Sequence, residues 1–331
     1  MAYTTIDDPS AYFKIQTYAG TGSSNAQTFA DTDTDMQPDM VWIKERDDTN
    51  DHNLFDAVRG AGELIRPNRT NAQNSTTEGV KSFDSDGFTL GTNSSLNGGS
   101  STYVAWCWKE SATAGFDIIA FTGNATARTI SHSLSAVPHW MITKNTVDGE
   151  QWRCYHRGMA TAPETDYMDF NLNEGVNDNN VVWNDTAPTS SVFTVGTDSG
   201  VNGNTDAMIA YLWTSIQGFS KFGSYRGNDG NDGAFVYTGF KPAYVLTKKY
   251  SATGASWQIC DNKRPGFNVI NDSLSADDSV VEATHVAMDF CANGFKCRNS
   301  NRDSNHNALY AFMAFAEQPF VNSEGVPANA E

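Results

Sequence analysis

Apolar and polar positions alternate along this chain in short runs, and clusters of Gly, Asn, Asp, Ser and Thr interrupt them about every ten to fifteen residues. The most aromatic runs are "YVAWCW" near residue 103, "MIAYLW" near residue 208 and "YAFMAF" near residue 310. A period of two over four to eight residues predicts strands with one buried face, and the Gly-rich clusters predict turns. Helical spacing is sustained nowhere, and only "DAVRGAG" and "SADDSVVEA" suggest short helices. The expected class is all-β, with sandwiches (jelly-roll-like) whose sheets contribute alternate inward residues.

The pattern repeats. "QPDMVWIKERD" holds Pro38 and Lys44, "VPHWMITKNTV" holds Pro138 and Lys144, and "KPAYVLTKKYS" holds Pro242 and Lys248. The prolines lie 100 and 104 residues apart (138 − 38 and 242 − 138). Each anchor follows an aromatic strand and a Gly turn, and each leads to a second aromatic strand: "HNLFDAVRG", "QWRCYHRGM" and "SWQICDNKR". Hairpins come next, at "FDSDGFTLGTN", "SSVFTVGTDSG" and "DFCANGFKCRN", before the closing aromatic strand. The expected organisation is an N-terminal docking arm over 1–13, three tandem β-sandwich repeats over 14–110, 115–216 and 219–321, and a C-terminal tail over 322–331. The linkers "ESATAG" and "SIQG" are too short for free domain motion, so one rigid body is expected.

Charge narrows the partners. The chain carries 39 acidic against 22 scattered basic residues, a formal net charge of −17. Nucleic acid and an anionic membrane face both select clustered Lys and Arg, and neither is expected. No window reaches the ~20 apolar residues of a membrane helix, so no membrane insertion is expected either. The start "MAYTTIDDPSAYFKIQ" has no basic segment followed by an apolar one, which points away from a secretory leader. Cys107, Cys154, Cys260, Cys291 and Cys297 form no framework spacing. Four of the five sit in apolar or strand-like contexts and are expected as buried thiols, in a protein made in a reducing cytoplasm, with a Cys291–Cys297 bridge as the minor alternative.

"MAYTTIDDPSAYF", "TAPTSSVFTVGTDSGVNG", "FVYTGFKPAYVLTKK" and "YAFMAFAEQPF" together resemble a family of marine bacteriophage virion proteins, tail-fibre-like or otherwise structural, with repeated β domains of unknown function. The resemblance runs over nearly the whole chain. It implies a particle protein and carries over no catalytic residue, and its recurrent Pro, Lys and Gly positions look like landmarks of the fold.

No nucleophile elbow, H-E-x-x-H helix or P-loop occurs, and "GNDGNDG" over 227–233 reads as a hairpin turn. "DTDTD" places Asp31, Asp33 and Asp35 like the start of a Ca²⁺ loop. Met36 and Trp42 then stand where that loop requires Gly and Glu. His52, His132, His139, His156, His285 and His306 show no metal-binding spacing. No catalytic, cofactor or metal residue is assigned, and no cofactor is expected. Lys44, Lys144 and Lys248 are expected at strand ends, pairing with Asp56, His156 and Asp261 in a polar rim, with a ligand-facing cation as the alternative. Trp42, Trp106, Trp108, Trp152, Trp213 and Trp257 are expected in the core, while Trp140 and Trp183 are left open. Exposed Trp or Tyr would make a sugar platform.

The expected function is a non-enzymatic bacteriophage structural protein on the particle surface, first a tail-fibre or host-contact protein. The alternatives are a capsid decoration protein, and a glycan-binding module or polysaccharide depolymerase. The expected partners are other virion proteins of tail or capsid, further copies of the chain, and a host surface glycan. The expected location is the virion, after synthesis in the host bacterial cytoplasm. The arm, with Tyr3, Ile6, Tyr12 and Phe13, either docks on a neighbouring subunit or packs back on the first repeat, and docking is the expectation.

Overall fold

The structure, a computed structural model, describes residues 2–30, 34–266 and 268–328. It is all-β, with several antiparallel sheets and helices of no more than one short turn. Three sheets, of four, six and eight strands, share a common four-strand set. The first sheet holds β1 (Phe13–Ala19), β2 (Met40–Glu45), β3 (Asn53–Asp56) and β4 (Thr102–Trp108). The second holds β5 (Phe116–Thr122), β6 (Trp140–Asn145), β7 (Arg153–His156) and β8 (Ala207–Trp213). The third holds β9 (Ser220–Arg226), β10 (Phe240–Lys249), β11 (Gln258–Asp261) and β12 (Leu309–Pro319). Their spatial orders are β1-β4-β2-β3, β5-β8-β6-β7 and β9-β12-β10-β11, so the closing aromatic strand always lies between the first strand and the Pro-anchored one.

Registers make the three stretches equivalent residue by residue. Trp42 pairs with Trp106, Ile142 with Tyr211 and Leu246 with Met313. Lys44, Lys144 and Lys248 follow two residues later, opposite Val104, Ile209 and Ala311. Recurrent Gly20, Gly123 and Gly227 have a steric reason: a Cβ there would lie 2.0–2.2 Å from the carbonyl oxygen of Gly98, Gly203 or His306. Beside them Asn97, Asn202 and Asn305 are fully buried. Each ties the turn together by donating to two backbone carbonyls: Ser23 and Gly91, Thr126 and Gly196, or Gly230 and Asn299.

The sheets are buried on both faces. In β4, Val104, Trp106 and Trp108 enter one core, and Tyr103, Ala105 and Cys107 enter another. The first core is common property, because Trp106, Tyr211, Met313, Trp140, Trp257 and Phe315 all belong to it. The first and third stretches have a second core of their own, while Phe193, Val195 and Val201 of the second stretch fall within the common one. The boundaries at 110–115 and 216–219 therefore divide the chain without dividing its core. All eight Trp are buried, Trp140 and Trp183 included. The closing strands are core, as the alternation predicted, with Trp106 and Phe312 inaccessible or nearly so.

The arm takes the second of the two placements open to it, packing back on the chain. Residues 2–13 lie back on the chain's own body, touching both its first and third stretches. Ile6 and Phe13 join the common core, and Phe13 stacks on Phe315 at 4.9 Å. Tyr3 Oη donates to Gly239 O at 2.8 Å, and Ser323 N donates to Asp7. An exposed Ile6 and Phe13 would leave apolar surface in water that the junction of β1 and β12 takes up.

Candidate functional site

The three lysines do not face a rim, and their expected pairing with Asp56, His156 and Asp261 is not what the structure shows. All three are fully buried. Lys44 Nζ donates to the carbonyls of Glu45 and Asp48, at 2.6 and 3.0 Å. Lys144 Nζ donates to Asn145, Asp148 and Glu150, and also to Thr70 of the first stretch. Lys248 Nζ donates to Ala255, and also to Leu172 of the second stretch. Burial lowers each ammonium to about 8, with carboxylates in the neighbouring loops opposing the shift. An ammonium surrounded by carbonyls fixes the loop after its strand, and leaves no open face for a ligand.

The loops tie each stretch to the next in a closed ring. Gln73 N donates to Thr146 O, Val176 N to Tyr250 O and Glu282 N to Arg46 O, each at 2.8 Å. The acceptors lie two residues beyond the three lysines. Trp152 Nε1 donates back to Arg66 O and Arg69 O, and Trp257 Nε1 to Asp169 O and Leu172 O. His52 holds the same place before β3. Its Nδ1 accepts from Trp42 Nε1 at 2.9 Å, so Nε2 carries the proton and donates to Ser275 O at 2.9 Å. The first stretch thus holds the third as the second holds the first.

Asp56, His156 and Asp261 sit inside this ring, fully buried, and the polar-rim expectation is overturned. Asp56 accepts from Tyr211 Oη and Arg59 Nε, both at 2.6 Å, and Arg59 reaches Gln73. Asp261 accepts from Trp106 Nε1 at 3.0 Å and Arg264 Nε at 2.7 Å, and Arg264 reaches Glu282 at 2.8 Å. Between the second and third stretches the corresponding residues are His156, Met159, Val176 and Met313. Met313 has no proton to give, and a carboxylate there would be buried without a donor. His156 instead accepts from Gly158 N and donates Nε2–H to Phe312 O at 3.2 Å. Burial lowers His52 and His156 to about 3, so both are neutral at pH 7.

A groove of about 670 Å³ lies between the second and third stretches. One wall holds Arg157 and Ser215, the other Lys221 and Tyr237, and Tyr3 of the arm closes one side. Lys221 Nζ donates to Tyr237 O at 2.8 Å and lies 4.9 Å from the Tyr237 ring centre. Arg157 Nη1 lies 2.7 Å from His139 Nε2, and burial lowers His139 to about 4. No carboxylate lines the groove among the described residues.

The remaining candidates stay apart. Asp31 and Asp33 lie outside the described residues, and Asp35 is exposed. No group of three His, Cys, Asp or Glu side chains is placed to hold a metal ion among the described residues. Cys291 faces Gly294 and Cys297 faces Met288, so the two thiols are not bridged. Residues 227–233 form the turn between β9 and the short strand Phe235–Tyr237, with Asn305 donating to Gly230 O. The groove was missed in the sequence, although "AFVYTG" places Tyr237, which lines it, where the matching strands carry no aromatic.

The sequence profile of a domain of unknown function (DUF7483) matches residues 8–319 as one unit, so the chain belongs to that family. The match spans all three stretches, as the common core does. No curated protein matches the chain.

Proposed function

We propose that this member of the DUF7483 family is a non-enzymatic structural protein of a bacteriophage particle, displayed on its surface as a tail-fibre or host-contact component. In this reading the body is three small sandwiches fused through a shared core, with copies of the chain and other virion proteins as its partners. The carrying observation is the closed ring: three loop-to-loop backbone bonds, one per junction, around a core to which all three stretches contribute. Such a body resists local opening, which suits a part exposed to water and mechanical load. Its net charge of −17 keeps the exposed surface soluble. The resemblance of its long runs to marine phage virion proteins supports the same reading.

The test is localisation. Antibody raised against the purified protein, visualised on intact particles from a culture expressing it, should label them at the tail. Label over the head would assign capsid decoration instead. Particles that carry none of the protein would remove the reading.

A further inference from the structure

The internal repeats supply a control for every surface position, because two copies show what the fold needs without the third. Strand Asn25–Thr28 sets Gln27 opposite Phe88, strand Arg128–Ser131 sets Ile130 opposite Phe193, and strand Phe235–Tyr237 sets Val236 opposite Phe295. The outward residues flanking those three are therefore equivalent. They are Ala26 and Thr28 in the first stretch, Thr129 and Ser131 in the second, and Phe235 and Tyr237 in the third. All are exposed, the last two at 49% and 51%. Two copies fold with small residues there, so packing does not explain two half-exposed aromatic rings.

Arg157 breaks the symmetry in the same place. Its N–H donates to His139 O as Ala57 N donates to Asp39 O and Asn262 N to Ala243 O, so Ala57 and Asn262 are its equivalents. Neither is charged. Lys221, opposite Ala314, has Asp117 as its equivalent in the second stretch, opposite Leu212, and Lys14 in the first, opposite Cys107, so this cation is shared with one other copy. One aromatic departure from the repeat, Tyr237, and one cationic departure, Arg157, thus line the same groove, beside Lys221. The groove carries two cations and no lining carboxylate in a chain with 39 acidic residues.

We propose that this groove binds an acidic oligosaccharide, one whose sugar rings carry carboxylate or sulfate groups. Tyr237 and Tyr3 offer ring faces and hydroxyls to the apolar and polar sides of a pyranose. Arg157 on one wall and Lys221 on the other supply charge-assisted donors for its anions. Elsewhere the acidic surface repels such a ligand, which directs it to this groove. The proposal rests on the host-contact reading and gives that contact a chemistry.

Titration calorimetry of the full chain with a hexameric oligogalacturonate, a sulfated galactan hexamer and maltohexaose tests it. At least one acidic probe should bind, more weakly as salt rises, and maltohexaose should not. Tyr237→Ser and Arg157→Ala install the residues of the equivalent copies, so the fold tolerates them. Each should weaken binding about tenfold or more. Thr28→Ala, at the matching place in the first stretch, should change nothing. Binding of neither acidic probe at millimolar concentration, equal binding of maltohexaose, or unaltered binding by both groove variants overturns the proposal. Particles that carry the protein while the isolated chain binds no acidic probe would remove the groove's role and leave the particle reading standing. Binding by a protein absent from particles would do the reverse.

Discussion

The junction between the third and first stretches and that between the second and third perform the same task with different chemistry. At the first, Asp261 holds Trp106 and Arg264, and Glu282 joins Arg264 to Arg46 with contacts of 2.8 and 2.6 Å. At the second, His156, Met159, Val176 and Met313 occupy the same four places, and one hydrogen bond from His156 replaces the network. The difference follows the covalent chain. The second and third stretches are joined through residues 214–219, which keep their faces at high effective concentration. The third and first are not consecutive in the chain, and the Glu282 N–Arg46 O bond, side chains and the arm close them. The junction between the first and second stretches, tethered and also polar, shows that a tether permits the apolar form without requiring it.

The largest effect should come from removing the acid of the untethered junction. Asp261→Ala leaves Arg264 buried with its main partner gone, and should cost about 3–5 kcal/mol. His156→Ala leaves neutral groups unpaired and should cost about 1–3 kcal/mol. Urea unfolding followed by tryptophan fluorescence measures both. Equal losses would show that the two junctions do not differ energetically.

The arm strengthens the same untethered junction. Ile6 is 3% exposed in the common core, so Ile6→Ala should cost about 2–5 kcal/mol through transfer and cavity terms. Deleting residues 2–13 would remove Phe13 as well and should lower the melting temperature further. Thermal melts that match wild type would show that the arm is dispensable to the fold.

The three-copy pattern was legible because strand alternation, the Pro anchors and the Lys six positions on are all local. The partners of the buried acids were not. Asp56 meets Tyr211 and Trp106 meets Asp261 across 155 residues, and nothing near either acid names its donor. One signal was present: His156 replaces Asp in the same chain in which Met313 replaces the Trp or Tyr donor. Setting the copies side by side would have joined those two substitutions. The lysines misled because a recurrent cation suggests a carboxylate partner, while backbone carbonyls carry no signature in sequence. The groove stayed hidden because its walls come from different stretches.

Acid should separate the junctions further. His52 and His156 are bases whose folded values are lowered to about 3, below the ~6.5 of an unfolded histidine. Their contribution is complete above pH 6.5, falls as pH drops below it, and is lost by about pH 3. The slope is about 1.4 kcal/mol per pH unit for each histidine while its unfolded form alone is protonated. Both histidines border the third stretch, one at each of its junctions, and none serves the junction of the first two. His156→Gln, which keeps a donor for Phe312 O, should remove about half of that combined slope. Denaturation midpoints between pH 4 and 6.5 check this, and an unchanged slope would show that His156 is not held neutral.

The smallest effect comes from exchanging one junction's pattern for another's. Trp42 with His52 occupies the place of Ile142 with Trp152 and of Leu246 with Trp257, so the first copy has moved its indole from the strand to the residue before the next strand. His52→Trp alone sets two indoles against each other and removes the acceptor of Trp42 Nε1, for about 1–3 kcal/mol. Trp42→Leu alone opens a void beside Trp106 and Phe170 and leaves His52 Nδ1 without its donor. Together the substitutions reproduce the third copy's pair and nearly conserve volume, and the double variant should cost under about 1.5 kcal/mol. The new indole N–H should then reach Ser275 O as Trp257 reaches Asp169 O, and one titrating group leaves the junction. A double variant as unstable as the sum of its singles would mean that the three copies share a backbone but not interchangeable contacts. Recovery, with a shallower acid slope than wild type, would show that the ring's junctions are variants of one design set apart by compensating changes in pairs of residues.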